Sequence, residues 1–316
     1  MTLKLLIFRM PCDKIQSELK RGANQMRLVK MHGLGNDYVY ADCVNGIPSA
    51  IAADPSEYSR KISDRHFGIG SDGLILICPP SHPELGAEFE MKLYNADGSY
   101  ALMCGNGIRC VGKFLYDNGY VTKNSVNVES GGSVKHLELK IKDGVCVGSR
   151  VDMGVPAIPG VPGWNDSHVD LEIDGEVHNL TLVDMGNPHG VKFITNVDEL
   201  EIEKIGPKLE NHPFFPNRAN IEFIQVVDDH TLKMRVWERG SGETFACGTG
   251  ATAAAVAAIL NGYCKPGDIT VHLLGGDLII SWTGLNSANN DELTFDKNAY
   301  MEGPATYVFE IKDLKI

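Results

Sequence analysis

The sequence predicts an α/β protein of the α+β type, built from two related domains that each place many short strands around one central helix. The first observation behind this prediction is an internal repeat. The segments MCGNGIRCVGKFLYDNGY and ACGTGATAAAVAAILNGY share a cysteine, an asparagine and a tyrosine, and each equivalent pair is 143 positions apart. A repeat of that length is a whole domain. The second observation is that short strand patterns outnumber helices without regular βαβ alternation.

The first half follows an N-terminal extension, predicted over residues 1–25. Met26 then begins the first segment with strand character. Alternating or continuous apolar patterns bounded by Gly-rich turns predict strands at Arg27–Met31, Asp37–Cys43, Gly73–Ile77 and Glu88–Asn95. Helices are predicted at Ser56–Phe67 and at Asn106–Asp117, the latter ended by Asn-Gly. Several short strands are expected from there to about Val151.

The second half repeats this order. Strands are predicted at Leu171–Ile173, Leu180–Met185, Ile221–Val227, Leu232–Glu238, Ile269–Leu274, Leu278–Trp282 and Glu292–Phe295. Helices are predicted at Glu199–Glu210 and Thr249–Leu260. The final strand, Ala305–Ile311, is expected to return to the first domain. The predicted domains are therefore 26–150, with the C-terminal strand region 304–316, and 151–303.

The composition argues against several classes of binding partner and site. The net charge is −12 and the sequence has no Lys/Arg cluster, which argues against nucleic acid or an anionic membrane as a partner. The longest apolar run is too short to span a membrane. The eight cysteines are sparse, form no CxxC motif and lack the spacing of a zinc site. We therefore expect a reduced, cytoplasmic protein without a metal.

The two cysteines of the repeat are the strongest candidates for catalysis. Cys104 and Cys247 each stand where a Gly-x-Gly sequence opens a helix. The free N–H groups and partial positive charge of a helix start stabilise a thiolate, so we expect the thiol pKa to be lowered toward neutrality. The same N–H groups can bind a carboxylate. A single motif of this kind would more often mark a buried cysteine, but two at matched positions favour an acid–base pair.

Further polar residues lie near these motifs. Asn95 and Glu238 each lie nine residues before a cysteine, and the pair Glu238-Arg239 could hold an ammonium and a carboxylate, or form an ordinary surface ion pair. Three clusters rich in Gly, Asn and Pro are weak signals individually, because these residues are common in turns. They contain Asn36, then Asn187 with His189, then Asn220.

At this point the motifs resemble those of a known family. KMHGLGNDYVY, FGIGSDG, YNADGSYALMCGNGIRC, GNPH, RANIEF and VWERGSGETFACGTGA are similar, in this order, to the motifs of diaminopimelate epimerases. The resemblance extends from Met26 to the segment GPATYVF. It implies two pseudo-symmetric domains, each a mostly antiparallel β layer wrapped around a central helix. It also implies a cofactor-independent isomerase that interconverts LL- and meso-diaminopimelate for lysine and peptidoglycan synthesis.

The resemblance also implies roles for individual residues. Cys104 and Cys247 match the catalytic cysteines, and His189 and Glu238 match residues that support catalysis. The positions that match substrate-binding residues are Asn36, Asn95, Gly105, Asn106, Asn187, Asn220, Glu238, Arg239, Gly248 and Thr249. Two positions depart from the pattern. Gly73 replaces a Gln that touches substrate in some members, and Phe309 replaces a Tyr at the contact of a homodimer, which we nevertheless expect here.

These residues predict a two-base mechanism in which one cysteine removes the α-proton and the other returns a proton to the opposite face. Which cysteine is donor depends on the direction of reaction. The first alternative is a proline or hydroxyproline racemase, whose members resemble MCGHG where this chain has Asn106 and lack a segment like ERGSGET. The second is an amino-acid-binding or redox-sensing protein, in which a Cys104–Cys247 disulfide could form on oxidation.

Overall fold

The computed structural model describes residues 26–157, 167–284 and 297–311. The predicted N-terminal extension and the predicted strand at Glu292–Phe295 lie outside these described residues, as does the end of the C-terminal region 304–316. Everything that follows concerns the described ranges.

The first half contains eight strands and three helices. The strands are β1 (Leu28–Gly33), β2 (Asn36–Asp42), β3 (Gly73–Cys78), β4 (Phe89–Asn95), β5 (Tyr100–Ala101), β6 (Ser125–Ser130), β7 (Ser133–Lys142) and β8 (Val145–Gly154). The helices are α1 (Ser49–Ala52), α2 (Pro55–Ser63) and α3 (Gly105–Asp117), with one 3-10 turn at Pro83–Leu85. The pairs β2–β3 and β4–β6 are parallel, and the other neighbouring pairs are antiparallel.

The second half repeats this arrangement, with strand numbers that are nine higher. Its strands are β9 (His168–Ile173), β10 (Glu176–Asp184), β11 (Pro188–Phe193), β12 (Asn220–Asp228), β13 (Thr231–Glu238), β14 (Gly242–Glu243), β15 (Gly267–Leu273), β16 (Gly276–Trp282) and β17 (Ala299–Pro304). Its helices are α4 (Ile202–Glu210) and α5 (Gly248–Leu260). Here β11–β12 and β13–β15 are the parallel pairs, in the places of β2–β3 and β4–β6. The predicted pseudo-symmetric, mostly antiparallel α+β fold is therefore confirmed.

The two halves are joined through their strands. β8 pairs antiparallel with β17, which makes the layers continuous. The last strand, β18 (Thr306–Ile311), pairs with β1, just as β9 pairs with β10 in the other half. The last described strand thus lies in the same layer as the first, while the exact domain boundaries stay a prediction.

Each layer wraps around its central helix. In α3 the first eleven residues are all buried, from Gly105 to Leu115, and α5 is buried along nearly its whole length. The Ala-rich sequence of α5 explains this, because a helix that is apolar on every side is stable only inside a core. Both helices contribute to one hydrophobic cluster that spans the two halves. None of the described helices is long and apolar enough to cross a membrane.

The structure differs from the predicted elements in a few places. Helix α2 ends at Ser63, four residues before the predicted end, since the Asp64 side chain accepts hydrogen bonds from the N–H groups of His66 and Phe67 and forms a turn. Strands β11 and β17 were not predicted. Each contains Pro and Gly, which the sequence reading assigns to turns. Helix α1, only four residues long, was also missed.

Candidate active site

Each cysteine of the repeat is the N-cap of its helix. Cys104 and Cys247 have extended backbone angles, and each Sγ accepts a hydrogen bond at 3.3 Å from the N–H three residues later, Gly107 or Gly250. A side chain that accepts from this N–H does what Ser or Asp does in an ordinary N-cap. The local sequence therefore fixes each thiol at the positive end of a helix.

The two helix starts meet. A side-chain carbon added at Gly248 would lie 3.7 Å from Cα of Gly105 and 2.8 Å from Sδ of Met301. Nδ2 of Asn106 also donates to the carbonyl of Ala246 at 2.9 Å, which ties the start of α3 to the segment before Cys247. A side chain at Gly248 would therefore require the Met301 side chain to move. The first N–H groups of both helices, which have no partners within a helix, thus lie close together.

On the first side, Cys104 is linked to a charged group through an amide. Its Sγ donates to Oδ1 of Asn36 at 3.2 Å, and Nδ2 of Asn36 donates to Oδ2 of Asp72 at 2.8 Å. Asp72 also forms an ion pair with Arg65 at 2.9 Å. Burial raises the pKa of the Tyr38 hydroxyl, and the nearby Cys104 thiol adds to this. Strand β2, which carries Asn36 and Tyr38, positions this group of residues.

On the second side, a longer chain of hydrogen bonds leads away from Cys247. Its Sγ lies 3.5 Å from Oγ1 of Thr249, which accepts from Nδ2 of Asn187 at 3.4 Å. Oδ1 of Asn187 lies 3.1 Å from Nε2 of His189, and Nδ1 of His189 lies 2.7 Å from Oε1 of Glu222. His189 and Glu222 are both fully buried. A buried ionisable pair of this kind holds its neighbours in one orientation.

The Glu238 region closes the site from strand β13. Oγ1 of Thr244 donates to Oε1 of Glu238. Oδ1 of Asn220 accepts from the backbone N–H of Arg239 at 3.0 Å, and Nη1 of Arg239 donates to the carbonyl of Asn217 at 3.3 Å. The Glu238-Arg239 pair is therefore held by separate partners, with each side chain fixed on its own.

Asn95 lies at the end of β4, opposite Gly73 on β3. Its Nδ2 donates to Oγ of Ser99 at 3.0 Å. A side-chain carbon at Gly73 would overlap the carbonyl of Tyr94 and would lie 3.1 Å from Cε1 of Tyr38. The backbone here leaves no room for the Gln that some relatives carry, so at this position the chain can contact a ligand only through its backbone.

Burial dominates the electrostatics of both cysteines. It raises the pKa of the Cys104 thiol despite the opposing hydrogen bond from the N–H of Gly107. Burial raises the pKa of Cys247 well above its usual value, and the carboxylates of Glu238 and Glu222 add to this. The pKa of Glu238 is also raised by burial, against the hydrogen bond from Thr244. The expectation of lowered thiol pKa values is thus wrong for this closed arrangement, because desolvation outweighs the helix starts.

Sequence reasoning missed five residues of the site. Tyr38, Asp72, Arg109, Glu222 and Thr244 all occur inside the motifs quoted above, but no spacing rule distinguishes them from structural residues. Only the fold brings them next to the cysteines. Within the described ranges, no group of three or more His, Cys, Asp or Glu could hold a metal ion.

The sequence matches the model of a known protein family. A family model described as diaminopimelate epimerase matches residues 28–158 and 181–308. A diaminopimelate epimerase of Acetivibrio thermocellus is 51% identical over 291 residues, covering 90% of this chain and 97% of that protein. A diaminopimelate epimerase of Methanococcus maripaludis is 48% identical over 291 residues, covering 90% and 98%.

Solved structures show the same fold at much lower identity. A hydroxyproline epimerase from Agrobacterium vitis has a TM-score of 0.68 at 15% identity, covering 92% of this chain and 93% of that one. A PhzF-family phenazine biosynthesis protein from Bacillus anthracis has a TM-score of 0.65 at 14% identity, covering 92% and 100%. At such identities the likeness extends to the fold alone.

Proposed function

This chain belongs to the diaminopimelate epimerase family, and from this premise we propose that it interconverts LL- and meso-diaminopimelate in lysine and peptidoglycan precursor synthesis. The reaction removes the proton from one α-carbon and returns a proton on the opposite face. One observation carries the proposal: two cysteines at equivalent places of the repeat cap two helices whose N-termini meet. That arrangement supplies two proton-transfer groups and an anion site together.

In the proposed mechanism the α-carboxylate lies between the two helix starts. In this mechanism the first-turn N–H groups of Gly105, Asn106, Gly248 and Thr249 bind the carboxylate and also stabilise the charge that develops when the α-proton leaves. A substrate carboxylate at two helix N-termini is held by donors fixed before it arrives. The N–H groups thus need little reorganisation during the reaction.

The two thiols then act in turn. One cysteine, as thiolate, takes the α-proton, and the other, as thiol, gives a proton to the opposite face. Burial supports this role, because a desolvated thiolate is a stronger base toward a weakly acidic carbon. The raised pKa values at Cys104 and Cys247 follow from the same burial. The substrate ammonium is assigned to the carboxylate of Glu238, and Arg239 with the nearby asparagines to the distal amino acid group.

The test is solvent deuterium incorporation at the α-carbon, followed by NMR in D₂O under reducing conditions without added cofactor. LL-diaminopimelate and L-proline are incubated with the protein in parallel. We expect deuterium uptake together with appearance of the meso isomer from the first substrate, and no exchange from proline. Exchange of proline alone would instead assign the chain to the racemase alternative.

Binding without exchange has a separate signature. A binding protein would show saturable association with diaminopimelate by calorimetry while its α-proton persists in D₂O. A redox sensor would show a Cys104–Cys247 disulfide by peptide mapping after mild oxidation, with no turnover of the reduced protein. Either result would contradict the proposal that this chain is an epimerase.

We also propose a homodimer formed through β18. Among the described strands it pairs with β1 alone, and its side chains Val308 and Phe309 are 49% and 46% exposed. Exposed apolar residues on an edge strand favour pairing with another chain. The resemblance places Phe309 where some family members have a Tyr at the dimer contact, which selects a second copy as the partner.

A further inference from the structure

The internal repeat allows the surroundings of the two cysteines to be compared position by position. Gly107 and Gly250 are equivalent, 143 residues apart. A side-chain carbon at Gly107 would meet Cδ1 of Ile75 at 2.8 Å, whereas one at Gly250 would meet Oε1 of Glu222 at 2.6 Å. Ile75 and Glu222 therefore occupy the same place beneath the two helix starts. The first half has a methyl group where the second has a carboxylate.

A second pair of equivalent positions differs in the opposite sense. Arg109 in α3 corresponds to Thr252 in α5, and both are fully buried. Each bonds the carbonyl at the start of its own helix: Nη1 of Arg109 donates to Gly105 at 3.4 Å, and Oγ1 of Thr252 donates to Gly248 at 2.9 Å. The first half thus has a buried guanidinium where the second has a neutral hydroxyl.

Within the described residues, each of these two side chains leaves one buried polar atom without a hydrogen-bond partner. Nη2 of Arg109 has no hydrogen-bond partner, and the remaining donors of this side chain reach the carbonyl of Pro304 and Sδ of Met301. Glu222 contacts His189, but its Oε2 has no hydrogen-bond partner. Unpartnered buried polar atoms cost stability, so their presence beside the active site points to a function.

Glu222 is close enough to act on Cys247. The carbon built on Gly250 would lie 2.6 Å from Oε1 of Glu222 and 3.1 Å from Sγ of Cys247, so these two atoms are at most about 5.7 Å apart. At that distance, in a buried site, a carboxylate opposes formation of a thiolate.

The other ionisable groups around each sulfur do not cancel this difference. Cys247 faces Glu238 from β13 and Glu222 from β12, and His189 from β11 is hydrogen-bonded to Glu222. On the other side, the groups around Cys104 are the hydroxyl of Tyr38 from β2, Arg109 and Cys110 within α3, Asp72 through Asn36, and Glu238 across the site. Glu238 therefore acts on both sulfurs. In contrast, Glu222 lies behind Cys247, and Arg109 lies within the helix that Cys104 caps.

We propose that Glu222 and Arg109 are positioning residues that give the two cysteines unequal acidity, so that in the free protein Cys104 ionises more readily and Cys247 holds its proton. As a thiolate, Cys104 accepts from the N–H of Gly107, whereas its hydrogen bond to Oδ1 of Asn36 belongs to the thiol form. The inference builds on the proposed epimerase function, since it specifies the proton distribution of the same pair before substrate binds.

The experiment measures the ionisation of each cysteine without substrate. Reduced full-length protein is treated briefly with iodoacetamide across a range of pH, and mass spectrometry of its peptides gives a rate for each cysteine. The midpoint of each rate–pH curve is compared, because unequal access changes the rate at every pH but leaves the midpoint in place. We expect the Cys104 midpoint to lie below that of Cys247.

Glu222→Gln is the decisive variant, because it keeps the shape of the side chain and removes its charge. We expect the Cys247 midpoint to fall by about one pH unit or more and the Cys104 midpoint to move less. Glu129→Gln is the matched control, since it removes a carboxylate that is 1% exposed on β6 in the other half. Neither midpoint should change in that variant.

Arg109→Met tests the other charge and should raise the Cys104 midpoint, with Arg109→Lys restoring it. If Arg109→Met fails to fold by circular dichroism, Glu222→Gln decides alone. Equal midpoints in the unmodified protein, or a Cys247 midpoint unmoved in folded Glu222→Gln, would overturn the inference. Because no substrate is used, either outcome is independent of the deuterium experiment, whose failure would instead remove the epimerase function.

Discussion

Replacement of Thr244 by Val tests the role assigned to Glu238. The hydroxyl of Thr244 donates to Oε1 of Glu238, whose pKa burial has already raised and which this hydrogen bond lowers. Valine has nearly the same shape but cannot donate. The variant should therefore raise the pKa of Glu238 further, so that the carboxylate is protonated at a higher pH.

The magnitude follows from the strength of one hydrogen bond to a charged group, about 1.5–3 kcal/mol. A pKa change of one unit corresponds to about 1.4 kcal/mol. Glu238 and Thr244 are both half-buried, so solvent replaces part of the lost bond, and the lower end of the range applies. We expect a shift of about one pH unit.

The assay is the pH dependence of kcat/KM with LL-diaminopimelate. Because the ionised Glu238 is assigned to the substrate ammonium, activity should fall on the acid side at a pH about one unit higher than in the unmodified protein. Thr181→Val is the control, because it alters a buried threonine that is hydrogen-bonded to Asn261. It should leave the acid side of the pH profile unchanged. If the pH profiles of kcat/KM for Thr244→Val and the unmodified protein superimpose on the acid side, the role assigned to Glu238 is refuted.

Three further predictions concern the chemistry, the core and the assembly. Cys104→Ala and Cys247→Ala should each lower epimerisation at least about 10³-fold while circular dichroism stays unchanged, because each removes one proton-transfer group; near-normal turnover in either would end the two-thiol mechanism. Gly206→Ala places a carbon 2.6 Å from Cγ of Trp237 and should lower the free energy of unfolding by about 1–3 kcal/mol in urea titrations. No loss of stability there would contradict the tight packing of α4 on β13. Phe309→Glu should shift a dimer to monomer by light scattering, and an unchanged mass would show that β18 is not the contact.

Much of the fold could be predicted because its signals are local. Alternating or continuous apolar residues predicted β1 to β4, and the Asn-Gly pairs ended α3 and α5 where the structure ends them. The elements that were missed have contradictory local signals. Strand β11 begins Pro188-His189-Gly190, which reads as a turn, and it forms because β10 and β12 supply hydrogen-bonding partners on both sides.

The candidate site was predictable to the extent that it follows the repeat and the family motifs. Asn36, Asn187, His189 and Glu238 are all within hydrogen-bonding chains that the structure builds around the two cysteines or their neighbours. Tyr38, Asp72 and Glu222 lie in the same motifs but were not predicted as site residues. A residue two or three positions from a predicted ligand reaches the site only if its strand presents that face, which the sequence alone does not reveal.

The sequence by itself determined that two equivalent halves each place a cysteine at the start of a helix, because capping and glycine preference act over a few neighbouring residues. Only the tertiary structure decided how those cysteines ionise. Their thiol pKa values are raised by burial and by carboxylates from distant strands, and these override the helix starts. Desolvation and Coulomb interactions depend on distance in space, and residues far apart in the chain set that distance.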